Sequence, residues 1–342
     1  MGEVSFTAWN YKAATRITGP EFPQNESFGA WAWAGGSVFM DDETVVYQED
    51  KTWKPDKTYY WPKDNTVDFF CYYPPHMEGI GIEPDRITYN NIDVHAMQQD
   101  ILYSDLASCY ADDPDKMDGP AISGLEGVPA LFHHALSKVQ VKILLPFNHK
   151  TEPDGTVTDW EVKVGEISLS GIRHVGGCEL LLPDEKEPGP VQWVLPLSAD
   201  GCHVWSDDGS TVSVSANLEG QDLTPGEPVT AIPEFYVLPQ TLLHGEQQVS
   251  VNLGIKTIRN GALLLQESLT VTRDLRLKKL PAWQMNQAIT YILRLSPLRE
   301  GTGINPDDPY NPDDPDLSGA IITFDPATSG WENIGLEADI NL

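Results

Sequence analysis

The chain has 342 residues, 40% of them hydrophobic, with 51 acidic against 22 basic side chains and a formal net charge of −29. Such a length exceeds what one core usually serves and sets an expectation of two domains. So acidic a surface repels phosphate backbones and anionic bilayers, which excludes nucleic-acid binding. No apolar run reaches membrane-spanning length. Met1-Gly2 leads straight into a strand pattern, as expected of a mature or truncated form.

In chain order, Glu3 to Trp9 alternates, with Val4, Phe6 and Ala8 on one face and Ser5 and Thr7 on the other. This predicts a short first strand (residues 3–9), paired at a sheet edge. Residues 10–26 break the pattern at Thr15-Arg16, Gly19-Pro20 and Pro23 and predict a loop. Ser27 to Met40 resumes as one strand, with Phe28, Ala30, Ala32 and Ala34 opposite Trp31 and Trp33. Val67 to Tyr73 reads as a strand with aromatics on both faces, bounded by Pro62 and Pro74, which cannot donate into a ladder. Met97 to Ala107 holds at most one short helix. Val139, Val141 and Ile143 alternate with Lys138, Gln140 and Lys142, the period of a half-buried strand with its lysines in water.

From there strands are predicted at Lys163–Leu169, Cys178–Leu182, Gln192–Leu197, Thr211–Ala216, Glu234–Leu238, Gln248–Ile258, Leu263–Thr272, Ala288–Leu295 and Ala320–Phe324. Gly, Pro and Asp clusters divide them, and no long 3.6-residue period appears. The fold class is all-β, of the β-sandwich kind.

The run Phe132-His133-His134-Ala135-Leu136-Ser137-Lys138-Val139 resembles the F-x-H-A-L-(S/A)-K-V signature of the fimbrillin-like proteins, surface pilus subunits of Gram-negative anaerobes. Further family patterns recur in order. Phe28-Gly29-Ala30-Trp31-Ala32 fits an early strand that follows an arginine-bearing loop. Tyr59-Tyr60-Trp61-Pro62 with Val67 to Pro74 fits Y-x-W-P and L-D-F-x-A-Y-Y-P, Cys71 replacing the usual alanine. Asp100 to Ser104 fits a third element, and Phe235 to Gln240 a strand ending in L-P-Q. Trp283 with Ile289 to Leu293 fits a fifth, though its glycine and first tyrosine are missing. The resemblance implies two tandem β-sandwich domains of transthyretin-like Greek-key topology. Residues 1–129 form the first and 130–342 the second.

The chain carries no G-x-S-x-G, H-E-x-x-H, P-loop or G-x-G-x-x-G motif, so no enzyme, cofactor or metal is expected. A glycosidase carboxylate pair has no positive support among so many acids. Cys71, Cys109, Cys178 and Cys202 lack zinc-site spacing and read as small hydrophobes, with one disulfide left open. His133 and His134 are adjacent strand residues, so they face opposite ways and cannot share one metal. Residues 302–318 repeat Asn-Pro-Asp-Asp-Pro, at Asn305 and at Asn311, and read as a solvated hairpin loop or a weak cation site. Trp31, Trp33, Trp53 and Trp61 either fill cores or, if they share a surface, stack on sugars.

The resemblance also implies a maturation route. An arginine-directed protease would cut after Arg16, releasing the first strand with Val4, Phe6 and Ala8. Another subunit, of the same or a paralogous chain, would then add a strand in its place. The C-terminal tail alternates Leu336, Ala338, Ile340 and Leu342, either as the donor strand or as the end of the second domain. Family members are exported as lipoproteins to the outer membrane, where the fimbrium supports adhesion, and are anchored through an N-terminal cysteine that this chain lacks. The alternative is a surface lipoprotein or tip adhesin that does not polymerise and binds a host or bacterial glycan or protein through exposed tryptophans.

Overall fold

The computed structural model describes residues 4–10, 22–62, 66–104, 106–110, 127–181, 191–194, 204–296, 321–330 and 335–336. In chain order these form β1 (Phe6–Asn10), β2 (Ser27–Ala34), β3 (Ser37–Tyr47), β4 (Trp53–Pro55), β5 (Thr66–Tyr73), β6 (Ile80–Glu83), β7 (Arg86–Asp93) and the short helix α1 (Val94–Met97). Next come β8 (Leu102–Ser104), β9 (Leu106–Tyr110), β10 (Val128–His134), β11 (Ser137–Leu144), β12 (His149–Thr151), β13 (Val157–Arg173), β14 (Val175–Leu181), β15 (Val191–Val194), β16 (Ser206–Asp207) and β17 (Thr211–Asn217). The rest are β18 (Val229–Val237), β19 (Gln240–Thr241), β20 (Gln248–Arg259), β21 (Ala262–Asp274), β22 (Ala282–Trp283), β23 (Gln287–Ser296), β24 (Ile321–Gly330) and β25 (Gly335–Leu336). The protein is all-β, built of packed sheets.

The largest sheet runs β15-β9-β5-β2-β3-β4-β1-β10-β8 and returns on itself where β5 pairs β8. Its inner face carries a core rich in aromatics, including Phe6, Phe22, Phe28, Trp53, Phe69 and Phe132. Two further sheets, β18-β11-β23-β24-β25 and β12-β13-β20-β21, enclose the second core between them. A small sheet, β16-β14-β7-β6, covers a third core that includes Trp33, Phe70, Tyr72, Tyr89 and Trp205.

Period-two patterning explains the layers. In β11, Val139, Val141 and Ile143 are fully buried while Lys138, Gln140 and Lys142 are half-exposed. The apolar set faces β13 and β20 across the sandwich, and the strand pairs β23 in parallel and β18 antiparallel. In β2 both faces are used. Phe28, Ala30 and Ala32 enter the first core, and Trp33 with Trp31 enters the third.

Three expectations change. Ser27 to Met40 is two strands, because Gly35 and Gly36 both take positive φ (56° and 80°) and close a two-residue hairpin turn. Within residues 97–107 the chain leaves the helix after Met97 and is strand at Leu102–Ser104 and again from Leu106, with Leu102, Tyr103 and Ser104 buried. The helix lies just upstream, where the Asp93 side chain accepts the Ala96 amide and caps it. Finally, β1 does not lie at an edge but between β4 and β10. The strands also cross the expected join at residue 129. β10 pairs with β1 and β8, β14 with β7, and β15 with β9.

Candidate functional site

The first strand sits in a slot between two others. Its register against β10 is parallel, from Phe6 opposite Val128 to Asn10 opposite Phe132. Against β4 a single residue pairs, Phe6 opposite Trp53. The Val4 amide donates to the Tyr59 carbonyl at 2.9 Å, and the Val128 amide donates to the Ser5 carbonyl at 2.7 Å. Successive strand amides point to opposite edges. The nitrogen of Pro129 therefore faces away from β1, at a level that β8, paired only at Phe132–His134, does not reach. A proline fits there because no donor is needed.

The slot is apolar and filled. Val4, Phe6 and Ala8 are 0%, 2% and 5% exposed. The Phe6 ring meets Phe28 and Phe69 edge-on, with centroids 5.9 and 5.7 Å apart. Burying Val4 and Phe6 contributes about 1.5–3 kcal/mol each. Phe22 closes the site from within the stretch expected to be a loop. Its ring packs on Phe28, Trp53, Tyr73 and Phe132, and its amide donates to the Ala8 carbonyl at 3.4 Å. Sequence reasoning missed Phe22, which stands alone between Pro20 and Pro23 with no alternation to mark it. Gly127, at φ 107°, lets the chain enter β10 close to β1, for a Cβ there would lie 2.8 Å from the Ser5 carbonyl oxygen.

Beside the slot, the buried Glu43 accepts from Tyr59 Oη at 2.7 Å and from Lys57 Nζ at 2.5 Å. Burial, and then the Glu43 carboxylate, push the Tyr59 phenol up to about 12. Nearby, His76 joins Asp42 at 2.8 Å through Nδ1 and Thr44 at 2.7 Å through Nε2. Asp42 also accepts from Tyr72, whose phenol is raised chiefly by burial.

Trp33, Trp53 and Trp61 are buried and Trp31 is half-exposed, stacked on Trp33 at 6.4 Å. These four lie in two different cores, so they form no shared open face. His133 is buried and stacks on Tyr103, whereas His134 turns the other way and meets Asp100 at 2.6 Å. Among the described residues no group of three or more His, Cys, Asp or Glu could hold a metal. Cys71 is buried and Cys178 half-buried. Leu336 lies in β25, opposite Thr328 on β24. Arg16, Cys202, residues 302–318, Ala338, Ile340, Leu342 and the side chain of Cys109 lie outside the described residues.

A sequence profile described as fimbrillin-like matches residues 15–305. No curated protein matches the chain. Among solved structures, a fimbrial protein from Bacteroides vulgatus is similar over 96% of this chain and 100% of its own, at 15% identity and a TM-score of 0.45. The fimbrial anchor protein Mfa2 from Porphyromonas gingivalis is similar over 97% and 99%, at 11% identity and a TM-score of 0.34.

Proposed function

We propose that the chain, which belongs to the fimbrillin-like family, is a fimbrial subunit that assembles by giving up its first strand. A cut after Arg16 detaches β1 from the rest of the chain. Its departure opens a slot with two unpaired edges, on β4 and β10, over the apolar floor that Val4, Phe6 and Ala8 had covered. Unpaired edges and exposed aromatics are both costly in water, so the slot favours an incoming strand. That strand must present apolar residues at every second position. The tail of another copy, with Leu336, Ala338, Ile340 and Leu342, has this pattern. A tail filling a slot elsewhere on the next subunit is a head-to-tail contact, which does not close and grows a filament. Export as a lipoprotein to the outer membrane, and adhesion at the cell surface, complete the reading.

The observation that carries it is the burial of three alternating side chains of the first strand between two partners. A labelled peptide of residues 335–342 tests it. The peptide is expected to bind chain cut at Arg16 and not the uncut chain, and a peptide of residues 3–10 is expected to displace it. Equal binding to both forms would remove the slot from the mechanism.

A further inference from the structure

We propose that β21 (Ala262–Asp274), the outermost strand of its sheet, pairs with β21 of a second copy of this chain, antiparallel about a two-fold axis at Thr270. The contact joins uncut subunits side by side and involves neither β1 nor the C-terminal tail.

Among the described residues β21 pairs with β20 alone, so one of its backbone edges carries no ladder. A long open edge is a template for another strand, and folded proteins blunt such edges with lysine, proline or bulges. Ala262 to Asp274 contains neither lysine nor proline. Its one register slip falls near the turn, where Thr257 lies opposite Leu265 but Ile258 lies opposite Leu263. From Leu265 to Asp274 the ladder is regular, and Gln266, Ser268, Thr270 and Thr272 are all exposed.

The pairing with β20 sorts the side chains of β21 onto two faces. Leu269 and Val271 lie opposite Leu253 and Val251 and belong to the second core. Glu267 lies opposite the buried Ile255, and Arg273 opposite the buried Val249, so both charges share that core-facing row. Both are half-exposed, because the strand lies at the margin of its sheet. Arg273 Nη1 donates to the Thr272 carbonyl at 2.8 Å, which holds the guanidinium beside the strand.

An inward charge on an edge strand ordinarily forbids pairing, since an added strand would bury it against apolar side chains. Here there are two such charges, of opposite sign, three residues to either side of Thr270. In an antiparallel pair centred on Thr270, Glu267 meets Arg273 of the second copy, and Arg273 meets its Glu267. Leu269 and Val271 meet in the same way, as do Ser268 and Thr272, and Thr270 meets itself. Moving the centre by one residue, to Leu269 or Val271, sets Glu267 opposite Val271 or Leu275 instead. The charges that turn away other strands and other registers therefore admit this one. The same surface is used twice, so the contact closes as a dimer and does not extend.

The test is sedimentation of the full, uncut chain over a concentration series, at physiological salt, where repulsion between the acidic surfaces is screened beyond about 8 Å. In uncut chain β1 still fills its slot, so a failure here is distinct from a failure of strand exchange. The wild type is expected to form dimers and nothing larger. Glu267→Arg and Arg273→Glu should each weaken the dimer about tenfold by setting like charges opposite one another twice. Combining the two should restore it. A thermal melt checks that each variant folds. A cross-link reads the register without touching either charge. Under oxidation Thr270→Cys should join two copies through the substituted position, as located by mass spectrometry, whereas Gln266→Cys, opposite Asp274, should not. A monomeric wild type, a folded double variant no better than its singles, or equal linking at both positions would overturn the proposal. Open-ended assemblies of uncut chain that Glu267→Arg leaves intact would also overturn it.

Discussion

The carbonyl of Ser5 accepts the amide of Val128 at 2.7 Å, and the next residue, Phe6, pairs directly with Val128. The first strand is thus tied to the strand that begins only after more than a hundred residues have been placed. Its bond to β10 is a ladder of five residues, and its bond to β4 a single pair. β10 is therefore the wall that holds β1, and the β10 side of the slot decides how readily the strand leaves.

Gly127→Ala should loosen that wall. The glycine is at φ 107°, and a Cβ would press on the Ser5 carbonyl. The expected cost is about 1–3 kcal/mol from backbone strain, read from the urea midpoint. Hydrogen exchange should rise at Val4 to Asn10 more than in β11. An unchanged first strand would show that Gly127 acts elsewhere.

Phe6→Ala removes a ring that meets Phe28 and Phe69 edge-on in a closed core. A loss of about 3–5 kcal/mol is expected. The uncut variant should also admit the peptide of residues 335–342 that uncut wild type excludes. A stable variant that still excludes the peptide would mean that backbone pairing alone keeps the slot shut.

Tyr291→Phe tests the second core independently of the first. Trp283 Nε1 donates to Tyr291 Oη at 2.9 Å, and the hydroxyl donates to the Leu275 carbonyl at 3.1 Å. Without the hydroxyl both groups are buried unsatisfied, at a cost of about 1–3 kcal/mol. The rate of cutting at Arg16 should not change. A changed rate would couple the C-terminal sandwich to the slot.

Alkali should destabilise the fold over a defined window. Burial raises the phenols of Tyr59 and Tyr236 from 10.0 to about 12, helped by Glu43 at Tyr59 and by Asp100 at Tyr236. The fold prefers both phenols neutral, whereas in the unfolded chain they ionise near 10. Their contribution is therefore complete below about pH 10 and is lost as pH rises toward 12. Urea midpoints that stay flat from pH 9 to about pH 12 would contradict these shifts.

Which face of a strand is buried was readable from alternation, and which strands lie beside it was not. Val4, Phe6 and Ala8, like Val139, Val141 and Ile143, point into cores as period two requires. Alternation reports one residue's surroundings, so it left β1 at an edge, although a parallel partner at Val128 to His134 makes it an inner strand. The Gly35-Gly36 turn was missed for a related reason, since apolar residues continue on both sides of it. Three of the four candidate tryptophans are buried. Bulk and aromaticity look the same in a core as on a sugar platform, and only the surrounding strands separate the two. Phe22 carries no pattern of its own, and its role exists only because four other rings converge on it.

The central claim is tested most directly by a timed digest with an arginine-specific protease, followed by mass spectrometry and size-exclusion chromatography. The account predicts one early cut after Arg16, survival of the core, loss of the fragment containing Val4, Phe6 and Ala8, and growth of larger species as that fragment leaves. A chain cut at Arg16 that keeps its first strand and stays monomeric would contradict it.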